Sequence, residues 1–240
     1  MNLSRINKKN TMKKHLQIAF IIGMTFLYKN TFGQTIELSS DKIEDNKITS
    51  HSHFDILLNV VSTNLNYGNS NSALMDSKKS IPGLQIGASY QAMITPKFSI
   101  VSELYFLMKG GKLKADNPLS VQNSTLRLYT VETPLLARFS FGKVYVNAGP
   151  SIAYNIYGTN QIGDDESHSL TFTNSTDGFK RWDASIQFGG GYTFNTKRKS
   201  VEIDLRYSYG LTNISYDQEI YNRNINIGIR VHRLRKVKSL

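Results

Sequence analysis

Eight stretches of this chain alternate apolar and polar side chains with a period of two, over 53–61, 83–92, 98–108, 126–139, 143–155, 180–193, 200–210 and 224–233. Successive residues of a strand point to opposite faces, so each stretch predicts a β-strand with one greasy and one hydrophilic side. In a single phase along all eight, 38 of 42 positions are apolar, too regular a bias for irregular structure or helix. The connections carry a second pattern. Residues 62–82, 109–125, 156–179 and 211–223 are long and rich in Asn, Ser, Asp and Gly, whereas 93–97, 140–142 and 194–199 are short. Barrels that span an outer membrane put tight turns toward the periplasm and long loops outside. The predicted architecture is therefore all-β: an eight-stranded antiparallel up-and-down transmembrane β-barrel with both termini in the periplasm.

Periodicity alone does not say which face points inward. A soluble barrel would enclose the apolar face and wet the polar one. The polar face argues against that, since it reads Gln85, Gly87, Ser89, Gln91, then Asp183, Ser185, Gln187, Gly189, Gly191, then Glu202, Asp204, Arg206, Ser208. Small residues and neutral amides suit a crowded interior. Lysine, common on solvated sheets, is expected only in loops and at strand ends. The aromatics of the apolar face gather at strand ends too. Phe106, Tyr129, Tyr154, Trp182 and Tyr209 fall toward the long loops, and Phe54, Tyr90, Phe98, Phe139 and Tyr192 toward the short turns. Two such girdles are expected where amphipathic rings sit at both membrane interfaces. Phe188 and Tyr207 lie nearer the middle and do not fit that pattern.

The amino terminus reads as an address. A basic stretch ending Lys13-Lys14-His15 precedes the apolar run Leu16–Leu27, and Asn30-Thr31-Phe32-Gly33 offers small residues at the spacing a signal peptidase needs. Residues 1–33 are expected to be a signal peptide cleaved before Gln34, with Met1 or Met12 as the start. The run is too short for a comfortable crossing, which takes about 20 residues. No later segment is an uninterrupted apolar run, so a membrane crossing has to be made by a closed barrel. The expected organisation is then a periplasmic leader over 34–52, a barrel over 53–233 and a basic tail over 234–240. The formal charge of +11 shrinks on this reading: loss of six basic residues from 29 leaves 23 against 18 acidic ones. Neither a basic helix nor a clustered phosphate-binding stripe remains, so nucleic acid is not an expected partner. The absence of cysteine excludes disulfides and thiolate chemistry.

Gly83-Leu-Gln-Ile-Gly87 and Glu103-Leu-Tyr-Phe-Leu-Met-Lys-Gly-Gly-Lys-Leu113, followed by Tyr129-Thr-Val-Glu-Thr-Pro-Leu-Leu-Ala-Arg138 and Ala148-Gly-Pro150, form an ordered series. Phe179-Lys-Arg-Trp-Asp183, Gly189-Gly-Gly-Tyr192 and Leu205-Arg-Tyr-Ser-Tyr-Gly-Leu-Thr-Asn213 complete it. The series resembles the PorT-like outer-membrane β-barrel domain family of Bacteroidetes-type bacteria over roughly 54–232. That resemblance implies an eight-stranded barrel in the outer membrane, usually without an assigned activity, some relatives serving type IX secretion and gliding. The chain departs from the family in running on through Arg233 to Leu240 instead of ending on an aromatic residue.

An interior of eight strands is just wide enough to be filled by side chains. The inward phase carries Glu103, Glu132, Arg138, Asp183, Glu202, Asp204, Arg206 and Arg230. Charges of both signs in so narrow a lumen are expected to pair into a structural network, the alternative being a narrow ion or proton path. Catalysis is not expected, although a barrel enzyme acting on lipid A or peptides is the competing class. His168 beside Ser167 and near Asp164, Asp165 and Glu166 reads as a solvated acidic loop rather than a triad. His51-x-His53 lacks a third ligand for a metal, and Gly189-Gly-Gly191 lacks the Lys-Ser/Thr of a phosphate loop. No cofactor or metal is expected. Pro134 and Pro150, each missing a ladder donor, predict β-bulges. The expected partners are outer-membrane lipids and an extracellular or secretion-apparatus component met by the long loops.

Overall fold

The computed structural model describes residues 53–195 and 199–233. The expected signal peptide, the leader with His51 and the basic tail lie outside the described residues, as does the side chain of His53. Eight long strands make up the fold: β1 (His53–Tyr67), β2 (Ile81–Met93), β3 (Phe98–Leu113), β4 (Ser124–Phe141), β5 (Val144–Ile162), β6 (Trp182–Asn195), β7 (Lys199–Gly210) and β8 (Ile220–Arg233). Each pairs antiparallel with its neighbours in sequence, and β8 returns to β1 with Ile227 opposite Val60. The closed sheet leaves no edge, which lets a wall of strands stand in lipid without unpaired backbone. From His53 the ladder passes through Gln91, Val101, Leu136, Gly149, Gln187, Ser208 and Asn224 and returns to β1 at Thr63, a stagger of ten residues. Such a stagger on eight strands tilts them and leaves a lumen that side chains fill.

The apolar phase faces outward. Ile56, Leu58, Val60, Leu104, Leu135, Ile152, Leu205, Ile227 and Ile229 are all exposed on the wall, Ile56 by 76 %. A soluble protein would not leave so continuous a band of aliphatic residues in water; in lipid those side chains are at home. The hydrophilic phase is buried inside.

Toward the long loops the two faces exchange character. On β1 the outward positions run Phe54, Ile56, Leu58, Val60 and then Ser62, Asn64, Asn66, while the inward positions end in Leu65 and Tyr67. β3 and β4 behave alike, with Lys112 and Arg127 turned out and Leu113, Leu126 and Leu128 buried. β8 turns Arg223 out and buries Ile220. The strands therefore overshoot the loop-side aromatic girdle and continue as a water-facing barrel, polar outside and apolar inside. Leu65, Tyr67, Leu74, Leu113, Leu126, Leu128, Ile214 and Ile220 pack there as one core, closing the outer end of the lumen. This corrects the expected loops at 62–82, 109–125, 156–179 and 211–223, whose first or last residues are strand. The alternation continues through them in the opposite phase.

The expected bulges at Pro134 and Pro150 are absent. Pro134 stays in register with Ser151 and Pro150 with Ile186. Opposite Pro134, the Glu103 carbonyl accepts the Thr133 hydroxyl at 2.9 Å, so the missing amide is replaced without an inserted residue. The register shift lies instead between Tyr129 and Thr130, which face Tyr157 and Asn155 and leave Ile156 unopposed. Arg181 stabilises that bulge by donating through Nη1 to the carbonyls of Asn155 at 2.9 Å and Ile156 at 2.7 Å. Phe188 and Tyr207, the two mid-wall aromatics, face each other across β6 and β7 at 5.4 Å and border a shallow outward depression over Gly190.

An arginine at Ile227, on the lipid-facing band, is expected to cost roughly 2–4 kcal/mol, whereas Asn66→Arg, in the overshoot, is expected to cost about 0–1 kcal/mol. Urea unfolding in lipid vesicles, followed through the single Trp182, measures both. Equal costs would put the face exchange in the wrong place.

Candidate functional site: the lumen column and the outer cup

The eight inward charges read from the sequence are all buried, and the sheet brings them together from five strands. Arg206 on β7 lies against Glu103 on β3 through both terminal nitrogens, at 2.7 and 3.2 Å. That fork-to-fork pairing is the geometry a guanidinium and a carboxylate prefer. Arg206 also pairs with Asp204 at 3.0 Å. Arg230 on β8 reaches the same Glu103 at 3.2 Å and Glu202 at 3.6 Å. Arg138 on β4 joins Glu202 at 3.4 Å, donates to Gln91 at 2.8 Å and lies over the Tyr145 ring at 4.0 Å. Tyr145 in turn donates to Asp204 at 2.8 Å. That ring has space only because its cross-strand neighbour is Gly191, where a Cβ would overlap the phenol.

Nearer the loops sits a second group built around a residue the sequence reading left out. Lys109, expected in a loop, is on β3 with its side chain buried in the lumen, 2.8 Å from Asp183 and 3.6 Å from Glu132. Asp183 also accepts Asn222 at 2.7 Å and Thr212 at 2.9 Å. Glu132 accepts Ser151 at 2.8 Å, Gln187 at 2.7 Å and Tyr105 at 3.1 Å. The expectation that lysine is confined to loops and strand ends is thus corrected. The signal was present: positions 99, 101, 103, 105 and 107 set an inward phase that 109 continues, two acids on other strands being the charge it needs.

Gln187 links the groups, donating to Glu132 and accepting from Arg206 at 3.5 Å. The result is one polar column, from Thr212 and Asn222 under the apolar cap down to Gln91 and Ser99 near the short turns. Little space is left beside it. A void of about 10 Å³ lies between Val61, Leu107, Glu132, Gln187 and Asn226, about the volume of one water.

The ten girdle aromatics lie on the outward phase. Phe54, Tyr90, Phe106, Phe139, Tyr154, Trp182, Tyr192 and Tyr209 are exposed, and Phe98 and Tyr129 half-buried. Phe106, Tyr129 and Tyr157 stack in series on the loop side, and Phe98 packs against Phe139 at a tilt of 42° at the turn side. Arg223 covers the Tyr209 ring at 3.6 Å.

Above the cap the loops enclose a cup of about 410 Å³. Tyr67, Leu113, Leu126, Phe179 and Ile220 form its apolar floor, and His168, Ser169, Thr176, Asp177 and Asp217 stand around it. His168 is exposed and makes no hydrogen bond to a serine or a carboxylate among the described residues. Ser169 is instead shared with Tyr157 at 3.0 Å, so no nucleophile–base pair is assembled there. No group of three or more metal-ligating side chains occurs among the described residues.

The family model for the outer membrane protein beta-barrel domain matches residues 32–216. No curated protein matches the sequence. Among solved structures, Neisserial surface protein A is 12% identical, covering 76% of this chain and 99% of its own, with a TM-score of 0.43. Ail, the attachment invasion locus protein of Yersinia pestis, solved with the heparin analogue sucrose octasulfate, is 12% identical over 76% of this chain and 100% of that one, with a TM-score of 0.39. The N-terminal β-barrel domain of Pseudomonas aeruginosa OprF is 16% identical over 74% and 99%, with a TM-score of 0.28. Likenesses of this order carry no information about what the loops bind.

Removing one member of a buried ion pair strands the other. Lys109→Met is expected to lower stability by about 3–5 kcal/mol. The double change Lys109→Met with Asp183→Asn is expected to cost less than the two single changes together, because it removes an uncompensated charge. Denaturant unfolding of the four proteins in detergent gives the coupling; strict additivity would show that the 2.8 Å pair is not a functioning contact.

Proposed function

Since the chain belongs to the outer membrane protein beta-barrel domain family, and since its lumen is occupied by a salt-bridged column, we propose that it is a non-catalytic, non-conducting outer-membrane barrel that works through its long outer loops. The single observation carrying this reading is the filled lumen. A diffusion pore needs a water-filled bore, and a side-chain plug whose charges come from five strands does not leave one. An accessory role in secretion belongs to the same proposal; it rests on the PorT-like motif series, from Gly83-Leu-Gln-Ile-Gly87 to Leu205-Arg-Tyr-Ser-Tyr-Gly. So does export by a signal peptide, for which N-terminal sequencing of membrane-extracted protein is expected to begin at Gln34.

A proton path is the second reading, and the polar column that runs along the lumen is the observation that favours it. Proton relay needs each member both to accept and to donate, however, and a guanidinium accepts nothing and keeps its protons. Arg138, Arg206 and Arg230 stand within the column, sharing Glu103 and Glu202, which supports a plug over a wire. Purified protein in planar bilayers is expected to be electrically silent, and Arg206→Ala to unfold more readily rather than to conduct. Discrete conductance steps in the unmodified protein would overturn the proposal. Histidine-dependent turnover of lipid A or peptide, lost in His168→Ala, would do the same for the catalytic clause.

A further inference from the structure

Hollows among the described residues include the small void in the lumen, the lipid-facing depression over Gly190, a groove between Asn64, Lys78 and Arg223, whose own polar groups line it, and the outer cup. The lumen is a plug, and the depression is shallow and faces lipid. The cup differs from these, since it opens away from the membrane and is lined by groups with unmet demands. Its floor is the upper surface of the apolar cap, with Tyr67, Leu113, Leu126 and Ile220 shared between the two. Its lip carries Leu119 and Ile162, 57 % and 38 % exposed, and Val121 nearby is 78 % exposed. These aliphatic side chains lie beyond the membrane band, where no lipid covers them. Apolar groups left together in water mark a surface that something else covers.

Charge narrows the chemistry. Asp177 and Asp217 line the cup from two different loops, and both are exposed. Neither forms an ion pair with a described residue, and no Lys or Arg is among the cup's lining. The loop that supplies Asp177 also carries Asp164-Asp165-Glu166, two residues before His168 in the wall of the cup. The cup therefore repels anionic headgroups and polyanions, and its volume of about 410 Å³ lies in the range of small-ligand pockets, about 300–1,000 Å³. An apolar hollow with two carboxylates at its mouth is the complement of an apolar side chain flanked by ammonium or guanidinium groups.

We propose that this cup is a docking site for a basic peptide segment, which buries one large apolar side chain on the Leu126–Ile220 floor and sets a flanking Lys or Arg against Asp177 and Asp217. The site rests on the reading that the loops are the working surface, and it specifies what they hold. Phe179 and Tyr67 line the hollow that receives the apolar group, and Ser169 and Thr176 line it as well. The two carboxylates give selectivity for cationic segments and a faster encounter at low salt.

The test uses the full chain folded in detergent, titrated calorimetrically with three tripeptide amides: Lys-Phe-Lys, Lys-Gly-Lys and Glu-Phe-Glu. Lys-Phe-Lys is expected to bind saturably at one site, and each of the others about tenfold more weakly, the scale of two screened ion pairs or one buried ring. Asp177→Asn combined with Asp217→Asn alters exposed loop residues only, and is expected to abolish the preference over Glu-Phe-Glu. Thr176→Trp is expected to plug the mouth and weaken Lys-Phe-Lys without touching the charges. Equal binding of all three peptides, a preference that survives loss of both carboxylates, or no saturable binding would each overturn the inference. The same samples are run unboiled and boiled in SDS and placed in planar bilayers. A compact, silent barrel that ignores Lys-Phe-Lys defeats the cup alone, whereas conductance defeats the functional reading beneath it.

Discussion

A charged side chain inside an eight-stranded wall has neither water nor lipid headgroup to turn to, so it is either matched by another side chain or it unfolds the barrel. Closure creates the demand. The stagger of ten residues that joins β8 to β1 fixes a bore in which inward side chains from opposite strands meet, and from then on every inward charge is a cross-barrel contact. Glu103 illustrates the consequence. It holds Arg206 and Arg230, on two strands far from its own in sequence, at 2.7 and 3.2 Å. Each pair is thus also a clamp between non-neighbouring strands, resisting distortion of the wall in a way the ladder between adjacent strands does not.

The outward face is governed by the same rule applied to a change of solvent. Where the wall meets lipid, aliphatic residues face out and polar ones in. Past the loop-side aromatic girdle the solvent becomes water and the preference exchanges, so Leu65, Leu113 and Leu126 turn inward while Asn66, Lys112 and Arg127 turn out. The side-chain alternation never stops; only its sense changes. The apolar cap is therefore no separate element but the upper storey of the same sheet. It shuts the lumen from outside, with the buried charges below it and the cup above.

That exchange also explains what was legible in the sequence. The lipid-facing phase, the eight strands and their order could be counted, because one rule applies along the whole membrane band. The upper storey could not be counted so easily. Residues such as Asn64-Leu65-Asn66-Tyr67 obey period two in the opposite sense, and with Asn and Ser between the apolar residues they read as loop. Lys109 was lost for that reason, since it stands one residue beyond the expected end of its strand. The inward set of Glu103, Arg206 and the rest was visible from phase alone. Its partners were not, because which charges meet depends on the stagger, and no local spacing encodes it. The prolines misled in the other direction. A missing amide needs a substitute donor, and Thr133 supplies one beside Pro134, so the wall needs no extra residue. The bulge appears where nothing in the composition announces it, at Ile156, with Arg181 from a distant loop donating to its carbonyls.

The division between plug and cup follows from how each is held. Lumen side chains are fixed from several strands at once, so a substitution there disturbs contacts all around the bore; Gly191, the glycine that leaves room for Tyr145 and hence for its bond to Asp204, shows how little slack remains. The cup has a floor as rigid as the sheet and a rim made of loops, whose residues change at small cost to the fold. A rigid apolar floor holds a side chain without paying to order itself, and variable loops around it adjust the charge presented to a partner. On the function proposed above, recognition belongs above the cap, where the barrel supplies the shape and the loops supply the sign.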